Sequence, residues 1–96
     1  MLDWTGDVGR AWAEMADAME RQLAPVAEIA IEALEPRPGE HVLEIGPGAG
    51  GAACAIARRV RPNGTVTGLD VSPDLLRLAR ARAAGEPGIA FLEADA

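Results

Sequence analysis

The chain has 96 residues, of which 49% are apolar, 25% charged and 3% aromatic, with a formal net charge of -6; that length suits one small domain with a core of alanine, leucine and valine. The acidic balance and scattered arginines exclude a basic footprint for nucleic acid or an anionic membrane surface. No run of about 18 apolar residues offers a membrane span, the single Cys54 excludes an internal disulfide, and with no signal-peptide layout at the N-terminus a cytoplasmic setting is expected.

Asp7 is placed to cap a first helix over residues 8–23, on which Trp12, Met15, Ala16, Met19 and Leu23 recur at three- and four-residue spacing as one apolar stripe. Pro25 suits the first turn of a second helix, where Val26, Ile29, Ala30, Ala33 and Leu34 continue a buried face until Pro36 and Pro38 stop it. Residues 41–45 are short, apolar and bounded by turn residues, as expected of a strand buried on both faces in a parallel sheet. An alanine-rich helix then runs from residue 49 or 50 to 61 and ends at Pro62-Asn63-Gly64, before a second strand over 65–69. Ser72 caps another helix with Pro73 at its first position; Leu75, Leu76, Leu78, Ala79 and Ala83 give its inner face, and Arg77, Arg80 and Arg82 lie mostly outward. Pro87-Gly88 turns into a third strand over 89–93.

This alternation predicts a helical cap over 1–38 and a βαβαβ unit over 39–96. Right-handed crossovers would order the strands 3-2-1 and leave the first at an edge, so either association of two copies through that edge or an unstable monomer is expected.

The chemistry concentrates around the first strand's end. Gly46, Gly48 and Gly50 lack side chains where the backbone turns tightly and a ligand can lie against it, and the helix that follows presents unpaired N–H groups. Asp70 ends the second strand, where a carboxylate can accept both hydroxyls of a ribose. Asp95 takes the equivalent place after the third strand, in reach of an adenine amino group, and Val71 is positioned to cover the adenine face. Gly46, Gly48 and Gly51 also satisfy G-x-G-x-x-G, the fingerprint of NAD-binding folds. Against that alternative, Glu44 places a negative charge two residues before the first glycine, which repels a pyrophosphate and attracts a ligand carrying an amino group. Cys54 reads as a core residue and His41 as a surface residue at a strand start. No metal site is expected.

Taken together, Glu44, Gly46, Gly48 and Gly50 as E/D-x-G-x-G-x-G, Gly68, Asp70 and Ser72 as G-x-D-x-S, and Asp95 after the third strand resemble the class I S-adenosylmethionine-dependent methyltransferases, especially their small-molecule branch with a helical N-terminal cap. The resemblance spans residues 22–96. It implies a Rossmann-like three-layer αβα fold with a parallel sheet, and S-adenosylmethionine as cofactor. By the same resemblance Glu44 and the glycine loop hold the methionine part, Asp70 the ribose, and Asp95 with the Ala96 backbone the adenine. An N-terminal helix in such proteins often covers the cofactor or shapes the acceptor pocket, which would give Trp12 a second use. The family's sheet has seven strands, and this chain is expected to supply the first three, which makes it an incomplete domain and a poor catalyst alone. The resemblance therefore carries over no catalytic residue, and the acceptor, a small molecule by this reading, stays open. Two other readings stand beside it: an NAD(P)-binding Rossmann domain, and a non-catalytic module that binds a nucleoside or a partner.

Overall fold

In the computed structural model, which describes residues 5–48 and 50–95, the elements run α1 (Asp7–Glu14), α2 (Ala16–Leu34), β1 (His41–Ile45), α3 (Gly51–Val60), β2 (Thr65–Asp70), α4 (Pro73–Arg82) and β3 (Ile89–Glu93). The strands form one parallel sheet in the order β1-β2-β3, the predicted 3-2-1 read from the other side, with His41 opposite Thr65 and Val66 opposite Ile89. Two crossovers of the same hand put α3 and α4 on the same face of the sheet. There Ala53, Cys54, Ile56, Ala57 and Val60 of α3, Leu76 and Ala79 of α4, and Val66 and Phe91 of the sheet make one buried cluster. The fold is Rossmann-like α/β, and the described residues supply its sheet with one of the two helical layers of an αβα sandwich.

Because side chains alternate along a strand, the opposite face collects Leu43, Ile45 and Leu92, which are 61%, 59% and 53% exposed. The sequence reading of β1 as buried on both faces is corrected accordingly: only Val42 and Glu44 turn toward the helices, and the β1 burial pattern alternates. The short segment His41–Ile45 predicts a strand correctly but cannot report which face has a neighbour.

The cap departs further from expectation. Its helical break falls at Met15 (φ -103°, ψ 4°), not before Pro25, which sits inside α2. The break frees α1 to pack on α4 while α2 packs on α3, a tertiary gain that outweighs one missing N–H in α2. Gly6 rather than Asp7 occupies the N-cap of α1, and Asp7 lies in its first turn, paired with Arg10. The expected apolar faces are largely solvent-facing: Met15, Leu23, Val26, Ile29 and Leu34 are exposed, and Ala16 and Ile31 are the apolar residues of α2 that are buried.

The start of α4 follows the sequence reading. Ser72 is fully buried, its Oγ accepts from the Leu75 N–H at 3.2 Å, and Pro73 takes the first turn. Arg77 pairs with Asp74 at the surface. Arg80 instead reaches back to donate to the Phe91 carbonyl at 2.9 Å, and Arg82 turns to α2, so neither is simply a solvated arginine.

Candidate functional site

A cleft of about 380 Å³ opens at the carboxyl ends of the strands, lined by Gly46, Gly48, Asp70, Val71 and Asp95 together with Trp12, Ile45, Leu69, Leu75 and Ala94. Its place follows from the topology, because parallel strands deliver all their βα loops to one end. Its size is that of a small-molecule site.

The loops leaving β1 and β3 are both tied to β2. The Gly46 N–H donates to the Leu69 carbonyl at 2.7 Å, and the Ala94 N–H donates to the Asp70 carbonyl at 2.9 Å. Gly46 (φ +72°) and Gly48 (φ +57°) hold backbone angles that side-chain-bearing residues rarely adopt. A Cβ built at either one meets nothing within 4 Å, so the strain-free turn also leaves open space toward the cleft.

Asp70 organises this end of the sheet. One carboxylate oxygen accepts from the Gly48 N–H at 3.3 Å, and the other from the Ser72 N–H at 3.0 Å. A carboxylate offers about four lone-pair sites, so acceptor capacity is left for a polyhydroxyl ligand.

Of the residues singled out from sequence, the cleft brings together Gly46, Gly48, Asp70, Val71 and Asp95. Gly50 does not line it: with φ +89°, it is buried where an added Cβ would sit 3.1 Å from Ala79 and 3.4 Å from Phe91, so its absent side chain lets the loop close onto α4 and β3. Glu44 shares the helix-facing side of β1 with Val42. Its Oε2 is buried with no hydrogen-bond partner among the described residues, and burial raises its pKa above the ordinary carboxylate value. Ala96 lies outside the described residues. Cys54 is buried, as expected, and burial is also what chiefly raises its thiol pKa.

Sequence reasoning gave Trp12 only a conditional place near the site, and it missed Ile45, Leu69, Leu75 and Ala94. The strand residues carry a usable signal, since the last outward residue of each parallel strand borders the cleft. Trp12 arrives through the break at Met15, for which no local signal exists.

A family model described as a methyltransferase domain matches residues 42–96, more than half of the chain and the whole βαβαβ unit apart from its first residues. The chain belongs to the class I S-adenosylmethionine-dependent methyltransferase family. It is 40% identical over 60 residues to nocamycin O-methyltransferase of Saccharothrix syringae, covering 62% of this chain and 21% of that protein. It is 38% identical over 71 residues to 2-phytyl-1,4-naphtoquinone methyltransferase of Nostoc sp., covering 71% of this chain and 31% of that protein. Among solved structures, the methyltransferase complexed with the Trm112 methyltransferase activator of Haloferax volcanii superposes on 95% of this chain and 40% of its own, with a TM-score of 0.80 and 28% identity. That match extends over the helical cap of this methyltransferase-family chain as well as its sheet. The chain spans between 18% and 31% of the length of the curated relatives it matches. Family membership sets aside the NAD(P)-domain alternative, whose glycine fingerprint is met only as a by-product of Gly51.

Proposed function

We propose that this chain forms the S-adenosylmethionine-binding half of a methyltransferase acting on a small molecule, with residues 1–38 as helical cap and 39–96 as the cofactor unit. The observation that carries the reading is Asp70, a carboxylate at the end of β2 that faces the cleft beside two glycines with open space above them. The residues fit the group: a cleft of about 380 Å³ with two carboxylates, Asp70 and Asp95, a glycine floor and apolar walls suits a nucleoside with an amino-acid tail.

When bound, S-adenosylmethionine supplies an electrophilic methyl carbon on a sulfonium centre. The chain's own contribution is to bind and orient. Asp70 accepts the ribose hydroxyls, Val71 covers one face of the adenine, and Asp95 with the Ala96 backbone holds the adenine. The backbone at Gly46 and Gly48 receives the methionine end. Glu44 and Gly50 act one step back, Glu44 as a negative charge under the loop and Gly50 as the point where the loop seats on α4. Trp12 and Leu75 exclude water from the apolar wall. Methyl transfer depends chiefly on positioning and electrostatics, so a chain that provides one wall of the site is a weak catalyst alone, and no catalytic residue is assigned.

A small-molecule acceptor is supported by relatives named for nocamycin, demethylmenaquinone and phytyl-naphthoquinone methylation, and by the formal charge of -6, which disfavours a phosphate backbone. A cytoplasmic setting and pairing of two copies through the β1 edge belong to the same proposal; no helix of the described residues is long and apolar enough to cross a membrane. Calorimetric titration with S-adenosylmethionine, S-adenosylhomocysteine and NAD tests the reading. Saturable binding of the first two without the third supports it, and failure of both adenosyl ligands refutes it.

A further inference from the structure

The N–H at the start of α3 is already engaged from within the chain. Glu20 of α2 accepts from the Gly51 N–H through Oε1 at 3.2 Å. Its other oxygen is paired with Arg82 of α4, which also holds Asp17 of α2 at 2.6 Å. Glu20 and Arg82 are each about two-thirds covered, with side chains 32% and 30% exposed. A Cβ at Gly51 would lie 3.0 Å from both Glu20 carboxylate oxygens, so the glycine leaves room for that carboxylate. Gly51 is also the third glycine of the G-x-G-x-x-G reading, at the helix start where dinucleotide folds seat a pyrophosphate.

We infer that Glu20 is a specificity-determining residue: an internal carboxylate, anchored by Arg82, that fills the anion position at the start of α3 and makes the glycine loop reject phosphate-bearing nucleotides. The inference rests on the nucleoside-binding reading of the neighbouring cleft. A helix N-terminus offers about half a positive charge, and Glu20 supplies a full negative one, so the end of α3 no longer attracts an anion. Arg82 is shared between Glu20 and Asp17, which leaves the three side chains with a net negative charge. A pyrophosphate arriving there meets repulsion and a missing N–H donor. The methionine end of S-adenosylmethionine carries one ammonium and one carboxylate, so its net charge is zero and the penalty falls selectively on phosphate.

The test titrates NAD into the 96-residue chain and into Glu20→Ala by calorimetry, with folding checked by circular dichroism. The expected result is NAD binding at least about tenfold tighter in the variant; equal affinity, or no detectable binding by either protein, overturns the inference. Should Glu20→Ala fail to fold, Glu20→Gln keeps an oxygen for the Gly51 N–H while removing the charge, and is expected to gain NAD affinity in the same direction. By NMR, the Gly51 amide proton shifts as a carboxylate titrates in the wild-type chain and not in Glu20→Gln; a Gly51 resonance indifferent to pH overturns the contact itself. S-adenosylhomocysteine titrated into the wild-type chain reads the cofactor proposal separately, because its failure to bind leaves the NAD comparison and the Gly51 titration decisive for Glu20.

Discussion

The carboxylate of Asp70 accepts the Gly48 N–H at 3.3 Å from 22 residues further along the chain, so one side chain both faces the cleft and fixes the loop that floors it. Replacing Asp70 with alanine removes the ribose acceptor and releases Gly48 and Ser72 together. S-adenosylhomocysteine affinity should fall by about 1.5 to 3 kcal/mol, roughly 10- to 150-fold. Asp70→Asn, which keeps one acceptor oxygen, should lose less. Calorimetry on the three proteins reads both effects, and equal affinity across them would place the ribose elsewhere.

Glu44 makes stability depend on pH in a defined direction. Burial raises its folded-state pKa above the ordinary 4.5, so the folded form binds the proton more tightly than the unfolded one. The associated stabilisation is complete below that ordinary value and is lost as pH rises through the raised one. Urea midpoints followed across this window should decline more steeply for the wild-type chain than for Glu44→Gln. Glu32, which Arg59 holds in the opposite direction, is common to both proteins and cancels in the comparison. Parallel curves would mean that Glu44 keeps an ordinary carboxyl.

Gly68 is a packing glycine. An added Cβ would fall 2.8 Å from Phe91 Cδ1 and 2.8 Å from Pro47 Cγ, both on well-packed neighbours. Gly68→Ala should destabilise the chain by about 1 to 3 kcal/mol and displace Pro47, which lies between Gly46 and Gly48 in the glycine loop. A lowered urea midpoint with weakened adenosyl-ligand binding is the expected pair of results.

Trp12 reports on the cleft from the cap. It lines the wall with Ile45, Leu69 and Leu75 and remains 36% exposed. Binding of S-adenosylhomocysteine should alter its fluorescence, and Trp12→Phe should abolish that response while Trp4→Phe retains it. Loss of the aromatic ring in Trp12→Ala should weaken binding by about 0.5 to 1.5 kcal/mol. A response carried by Trp4 alone would remove α1 from the site.

The βαβαβ unit is legible because its signals are local. Ser72-Pro73 starts a helix, Pro62-Asn63-Gly64 ends one, and Gly46 and Gly48 need positive φ; each acts within a few residues. Asp70 is legible for a related reason, since a strand end is a fixed point in a parallel sheet. The cap was misread at the break, where Pro25 carries the stronger local signal and Met15 the actual turn, because packing of α1 on α4 decides the matter. Glu20 was invisible for the same cause: its partners Gly51 and Arg82 are brought to it only by the assembled helices. Gly50 and Glu44 show the limit of motif reading, which finds the residues but not the direction in which each one faces.

The bonds from Gly46 to Leu69 and from Ala94 to Asp70 give β2 a mechanical role. Its last two carbonyls anchor the loops leaving both neighbouring strands, so neither loop can swing out without breaking a bond to the central strand. Amide protons at Gly46 and Ala94 should therefore exchange with solvent together with those of β2, in openings that unzip the sheet rather than in loop fluctuations. The two loops that floor the cleft are thus braced by one strand, so the shape offered to a ligand persists as long as the sheet does.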